Sequence, residues 1–167
     1  MKPVIYFASA LGRNREGSPL HEDIILMLKK FGTIHRERVS GHYRVVSPDD
    51  EAPTRLATEA ELEAWRATPP KDKRSQELQL LASCTHLVAE VTLPSVQLGM
   101  LIANAANQGK YVLCLQNKQF GSAPDQSPML SGDPRISCCV YETIPKLLPI
   151  FETFFSPASD SSERSAS

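Results

Sequence analysis

What this sequence lacks already removes several classes of function. No apolar run approaches the ~18 residues that a membrane-crossing helix needs, so no membrane association is expected. Neither sign of charge is in excess. The formal net charge is -1, which provides no electrostatic reason to expect nucleic acid as a partner. The four cysteines, Cys84, Cys114, Cys138 and Cys139, form no C-x-x-C pair. No convergent ligand spacing is visible either, and no metal is expected. Cys114 and Cys138 lie within apolar runs, so reduced thiols packed as small hydrophobes are expected, as in an intracellular protein. Neither G-x-G-x-x-G nor G-K-S/T occurs. A dinucleotide fingerprint and a P-loop are therefore rejected, and no cofactor is expected. The N-terminal apolar stretch, residues 3–11, is short and is followed by Arg13, Arg15 and Glu16. It reads as a buried first strand rather than a signal peptide.

At 41% hydrophobic and 22% charged residues, the chain can bury an ordinary core, and its length suits one domain. Residues 1–155 are expected to form that domain. Residues 156–167, mostly Ser, Asp and Ala, are expected to be a disordered tail. The run VIYFA at 4–8 suits a strand buried on both faces. Ser18 and Pro19 then open a helix as N-cap and first-turn residue. Its inward face is Leu20, Ile24, Met27, Leu28 and Phe31, and Gly32 ends it. Residues 33–40 alternate like a half-exposed or edge strand. The polar segment 47–70 reads as a long loop carrying a short helix at 59–66. A helix is expected at 75–83 with Leu78, Leu81 and Ala82 inward, and a buried strand at 86–91. The helix opened by Pro94 and Ser95 runs to about Gln108, where Gly109 suits its C-terminal end. Strands at 111–115 and 136–141 flank a loop at 118–133, and an aromatic-rich helix covers 144–155. This order implies an α/β, Rossmann-like, open and mostly parallel five-stranded sheet with helices on both faces. Such sheets bind ligands beyond the carboxyl ends of their strands, where strand order reverses. That directs attention to the loops after Ala8 and after Val91.

The first loop begins at Ser9 and contains Gly12 and Gly17. Several backbone N–H groups ahead of a helix can receive an anion there, although many α/β domains begin this way. In the second loop, Ser95 stands at a helix start. Its hydroxyl and the first amides can bind phosphate, or it can simply cap the helix. His21 lies near the first loop and can touch a phosphate, but it reads better as exposed. Glu22 and Asp23 sit where acids favour the helix dipole and are solvated. Glu90, on a buried strand, reads as a structural hydrogen-bond acceptor. His86 opens the same strand without an evident task. Ala103, Ala105 and Ala106 suit either a close helix–helix contact, such as a dimer interface, or packing on the sheet.

Four segments, in order, resemble the 2'-deoxynucleoside 5'-phosphate N-hydrolases, relatives of the nucleoside 2-deoxyribosyltransferases. Residues 4–15 resemble their opening I-Y-F-x-G-S strand and loop, with Tyr6, Phe7, Arg15 and Glu16 in place. Lys30-Phe31-Gly32-Thr33 resembles the end of their first helix. Residues 88–99, VAEVTLPSVQLG, resemble V-A-E-V-T-x-P-S-x-G-V-G. Residues 111–115 with SPMLSG at 127–132 resemble a strand and a later S-A-M-I-x-G loop.

The resemblance implies cleavage of the N-glycosidic bond of deoxynucleoside 5'-monophosphates. A glutamate attacks the anomeric carbon, and water hydrolyses the glycosyl-enzyme, as in retaining glycosidases. It implies that Tyr6 lines the sugar site, that Ser95 holds the 5'-phosphate, and that Ser127 reaches the phosphate site of a partner subunit in a homodimer. Ser9, Gly12, Arg13, Arg15 and Gly99 fall among the phosphate-site positions. Arg15 is kept, whereas the preceding family arginine falls on Gly12, with Arg13 one residue away. A family aspartate falls near Glu77. The nucleophile, two residues beyond the glycine matching Gly99, falls on Leu101. The expectation is therefore a nucleotide N-glycosidase by family, or a catalytically silent nucleotide-binding or interaction module. A cytoplasmic location is expected, with the nucleus as a second compartment.

Overall fold

The apolar runs of the sequence become strands of one sheet. The computed structural model describes residues 2–9, 18–39, 42–45, 55–56, 58–93, 95–119 and 127–156. Strand β1 (Val4–Ser9) is followed by helix α1 (Ser18–Leu28) and strand β2 (Thr33–Val39). Short strands β3 (His42–Val45) and β4 (Arg55–Leu56) precede helices α2 (Glu59–Ala67) and α3 (Pro70–Ser83). The second half runs β5 (His86–Glu90), α4 (Val96–Asn107), β6 (Tyr111–Asn117), the short α5 (Pro128–Ser131) and β7 (Ile136–Tyr141). A 3-10 turn at Ile144–Lys146 leads into α6 (Leu147–Phe154). The expected tail lies outside the described residues, apart from Ser156.

The strand order is β4-β3-β2-β1-β5-β6-β7. Five neighbours, β2, β1, β5, β6 and β7, pair in parallel. This is the doubly wound arrangement that alternating strands and helices require. The antiparallel strands β3 and β4 continue the sheet past β2. Strand β2 is therefore an interior strand, not the edge its alternation suggests. Four- and two-residue strands are too short to show a period of their own. The polar segment 47–70 holds β4 and the first residue of α3 besides its helix. Helix α3 starts earlier than expected because Pro70 occupies the first helical position, where a missing N–H costs nothing. The Lys, Asp and Arg residues that follow are mostly solvated. The segment 118–133, expected as loop, carries α5.

Alternate residues of the central strands feed two cores. On one face, Tyr6, Ala8, Leu87, Ala89, Val112 and Cys114 meet Leu81 of α3 and Leu98, Leu101, Ile102 and Ala105 of α4. On the other, Ile5, Phe7, Val88, Leu113 and Leu115 meet Ile24, Ile25 and Leu28 of α1 and Phe151 of α6. Adjacent Cys138 and Cys139 pack against opposite cores. All four thiols are free. Burial pushes the Cys84 thiol up to about 11 and the Cys114 thiol up to about 12, so both stay protonated near neutrality.

Two glycines end helices for different reasons. Gly109 follows α4 with φ +69, the left-handed conformation that glycine adopts without steric cost. Gly32 was expected in the same role, but its constraint is space. A Cβ there would lie 2.4 Å from the Pro3 carbonyl oxygen and 2.9 Å from Ile5 Cδ1. Thr33 N–H donates to that same carbonyl at 2.9 Å, which ties the start of β2 to the start of β1. We expect Gly32→Ala to destabilise the domain by about 1–3 kcal/mol through overpacking. Gly109→Ala should cost about 1–2 kcal/mol through backbone strain alone. Urea unfolding of the two variants checks both values, and an unchanged midpoint for Gly32→Ala would contradict the packing argument.

Candidate functional site

Strand order reverses between β1 and β5, so the crevice lies above the carboxyl ends of these strands. On the face covered by α3 and α4, Tyr6 is fully buried in β1 and its hydroxyl donates to Glu77 Oε2 on α3. Glu77 is buried too. It takes a core-facing position on α3, whereas Ala82, expected inward, is exposed. The phenol thus supplies a hydrogen bond that a carboxylate needs when it leaves water.

Leu101 lies in the core beside these groups. Positions Leu98, Leu101, Ile102 and Ala105 form the i, i+3, i+4, i+7 stripe by which α4 covers the sheet, and Leu101 is 6% exposed. Glu77 and Leu101 also line a groove of about 550 Å³ between α2, α3 and α4, together with Trp65, Arg74, Gln97 and Met100. Sequence reasoning missed Trp65.

The three described phosphate-site candidates of the second half, Ser95, Gly99 and Ser127, come together elsewhere. They line a groove of about 640 Å³ on the other side of α4, between α4, α5 and the β6–β7 edge. Ser95 Oγ accepts the Leu98 N–H at 3.1 Å, so it does cap α4. Its residue is exposed, and its own O–H faces no competing role in that cap. At Gly99 a Cβ would meet nothing within 4 Å, so the chain's own packing does not demand glycine there. At the far end of the groove, Arg135 pairs with Asp133 through Nη2–Oδ2 at 2.6 Å and donates from Nη1 to Asn107 Oδ1 at 3.1 Å. Hydrogen bonds from Arg135 hold the Asp133 carboxyl down at about 2. That guanidinium is already committed. Ala105 and Ala106 are buried against the sheet, whereas Ala103 is exposed on the groove.

The opposite face of the sheet holds a polar cluster that the sequence did not suggest. His21, expected to be exposed, is 4% exposed. Its Nδ1 lies 3.4 Å from Ser9 Oγ and its Nε2 lies 3.6 Å from Glu90 Oε2. His21 occupies the buried stripe of α1 with Ile24, Ile25 and Leu28, which is why the helix turns it inward. Glu90 accepts from Thr92 Oγ1, and Thr92 Oγ1 accepts the Asn117 N–H at 2.8 Å. Burial, and next the Glu90 charge, push the nearby Tyr141 hydroxyl well above its ordinary value. Glu90 is thus a structural acceptor that ties β5 to β6. Asp23 is exposed, as expected. His86 stacks on Tyr111 with centroids 4.8 Å apart, at the amino end of β5 and away from the crevice.

Gly12, Arg13 and Arg15 lie outside the described residues. Among the described residues, no group of three His, Cys, Asp or Glu side chains is placed to hold a metal. No helix among them is long and apolar enough to cross a membrane.

This arrangement is similar to the fold of a solved CMP N-glycosidase. The CMP N-glycosidase BcmB of Clostridium botulinum matches it with a TM-score of 0.56 over 90% of this chain and 98% of that one, at 14% identity. No protein-family profile matches the chain. Sequence relatives supply the narrower assignment. A Trichoplax adhaerens protein provisionally named 2'-deoxynucleoside 5'-phosphate N-hydrolase 1 is 30% identical over 131 residues, 78% of this chain and 74% of that protein. The 5-hydroxymethyl-dUMP N-hydrolase of Homo sapiens is 32% identical over 123 residues, 72% of this chain and 60% of the relative. Its Rattus norvegicus counterpart is 29% identical over 117 residues, covering 70% and 63%. The chain belongs to the 2'-deoxynucleoside 5'-phosphate N-hydrolase family. Its matched part spans less than two thirds of the human and rat relatives' length.

Proposed function

We propose that this domain binds 2'-deoxynucleoside 5'-monophosphates at the crevice over β1 and β5, without the covalent glycosyl step of its family. Leu101 carries this reading. At the nucleophile position stands a side chain packed into the core cluster with Tyr6, Leu98 and Ile102. A hydrocarbon neither attacks an anomeric carbon nor stabilises an oxocarbenium ion. Losing a covalent nucleophile commonly costs several orders of magnitude in rate. The binding half of the site is supported by Ser95 at the start of α4, where a helix N-terminus favours an anion, and by Gly99 on the same groove. Gly12, Arg13 and Arg15 complete the phosphate site on the strength of the resemblance. The cytoplasm is the proposed compartment, which the free thiols suit.

A second reading is favoured by one observation, the Tyr6–Glu77 pair in the wall of the groove that also holds Leu101. In it, Glu77 takes a proton from water as the water oxygen bonds to the anomeric carbon. The C–N bond breaks, its electron pair leaves with the base, and solvent protonates the base. Such a single displacement inverts the anomeric carbon. Calorimetry and chromatography on a panel of deoxynucleoside monophosphates separate the readings. We expect saturable binding with no free base. Base release that Glu77→Gln abolishes, with inverted sugar product, would establish the second reading. Absence of binding to every member of the panel would overturn both.

The partner side of the proposal is a homodimer in which Ser127 reaches the other subunit's site. Its support is the apolar surface of the α4–α5 groove, where Met129 is 83% exposed. Sedimentation equilibrium should give the mass of two chains, and Met129→Asp should shift the protein towards monomer. A wild-type monomer at tens of micromolar would contradict this arrangement.

A further inference from the structure

Trp65 is the chain's single tryptophan, yet it belongs to neither core cluster. Aromatic side chains ordinarily dominate cores because they bury so much area. Here the ring is carried on α2, whose other described side chains are mostly exposed. The helix is firmly built for its length. At its start, Thr58 and Glu61 form a reciprocal capping box, with Glu61 N–H donating to Thr58 Oγ1 at 3.3 Å and Thr58 N–H to Glu61 Oε2 at 2.8 Å. At its end, Thr68 Oγ1 donates to the Ala64 carbonyl at 2.8 Å. Lys73 Nζ stands 5.2 Å from the Trp65 ring centroid and donates to the Arg66 carbonyl at 3.2 Å, which pins α3 to the last turn of α2. These contacts hold a half-buried indole at a defined place in the wall of the α2–α3–α4 groove.

The rest of that groove has complementary chemistry. Leu78, Met100 and Leu101 line it with hydrocarbon, Gln97 adds an amide with both donor and acceptor capacity, and Lys73, Arg74 and Glu77 bring charge to its α3 side. Its volume of about 550 Å³ falls in the range of small-ligand sites, ~300–1,000 Å³. An aromatic wall, an apolar wall and an amide suit a flat ligand with π-faces and a polar edge, which describes a nucleobase. A carboxylate at position 101 would introduce charge into the α4 side of this lining. The leucine keeps that side uncharged.

We propose that the α2–α3–α4 groove receives the base of the bound nucleotide, with Trp65 as its stacking face and Leu101 on the apolar side. This rests on the nucleotide reading above and names the element that recognises the base. Stacking uses the π-face that every base has, so recognition should tolerate base identity while requiring that a base be present.

The single tryptophan makes the test direct. On the full chain, each deoxynucleoside monophosphate should quench Trp65 emission and shield it from acrylamide, with the midpoint that calorimetry gives for binding. 2-Deoxyribose 5-phosphate, which has no base, should leave the emission unchanged. Trp65→Phe should bind within about threefold of the parent. Trp65→Leu should bind about tenfold or more weakly, with an unchanged circular dichroism spectrum. Calorimetric binding without quenching or shielding in the parent overturns this inference and leaves the nucleotide reading standing. Equal binding by parent and a folded Trp65→Leu does the same. Failure to bind any nucleotide in calorimetry overturns the nucleotide reading, and this inference falls with it.

Discussion

Because β1 is paired on both edges and covered on both faces, its alternate side chains must serve two separate cores. That constraint arranges everything at the crevice. Tyr6 points towards α3 and α4 and places its hydroxyl on Glu77. Ser9, three residues on and on the opposite face, meets His21 under α1. Two polar clusters therefore flank the carboxyl end of one strand without touching the same side of the sheet.

Helix α4 is under a related demand. It must present an apolar stripe to β1 and β5, and Leu101 completes that stripe with Leu98, Ile102 and Ala105. Placing a nucleophilic glutamate on this face exposes a charge to the core, and a helix that keeps such a residue accepts a cost in stability for chemistry. This chain has the packing solution instead. The same helix separates two grooves. The residues associated with phosphate line one of them, and Glu77 and Leu101 line the other.

Much of this was legible from residues alone. The five parallel strands follow from apolar runs separated by helical periods, and Ser95 as the cap of α4 follows from its place before the run. Other features were hidden for identifiable reasons. Strands β3 and β4 are too short to carry a period. His21 shares the buried stripe of Ile24, Ile25 and Leu28, but its polar identity argued for solvent. The spacing would have found it had the chemistry been set aside. The Tyr6–Glu77 bond joins residues 71 apart in sequence, and only resemblance hinted at it. Trp65 sits in a polar segment, and the groove that it lines is formed by three helices.

The account stands or falls on whether position 101 alone separates this chain from its family's chemistry. The most direct measurement is chromatographic detection of free base from deoxynucleoside monophosphates incubated with the parent and with Leu101→Glu. We expect no release by the parent and measurable release by the variant, because the added carboxylate lies beside Tyr6 and Glu77. Rapid release by the parent, or no release by a folded variant that still binds nucleotide, would contradict the account.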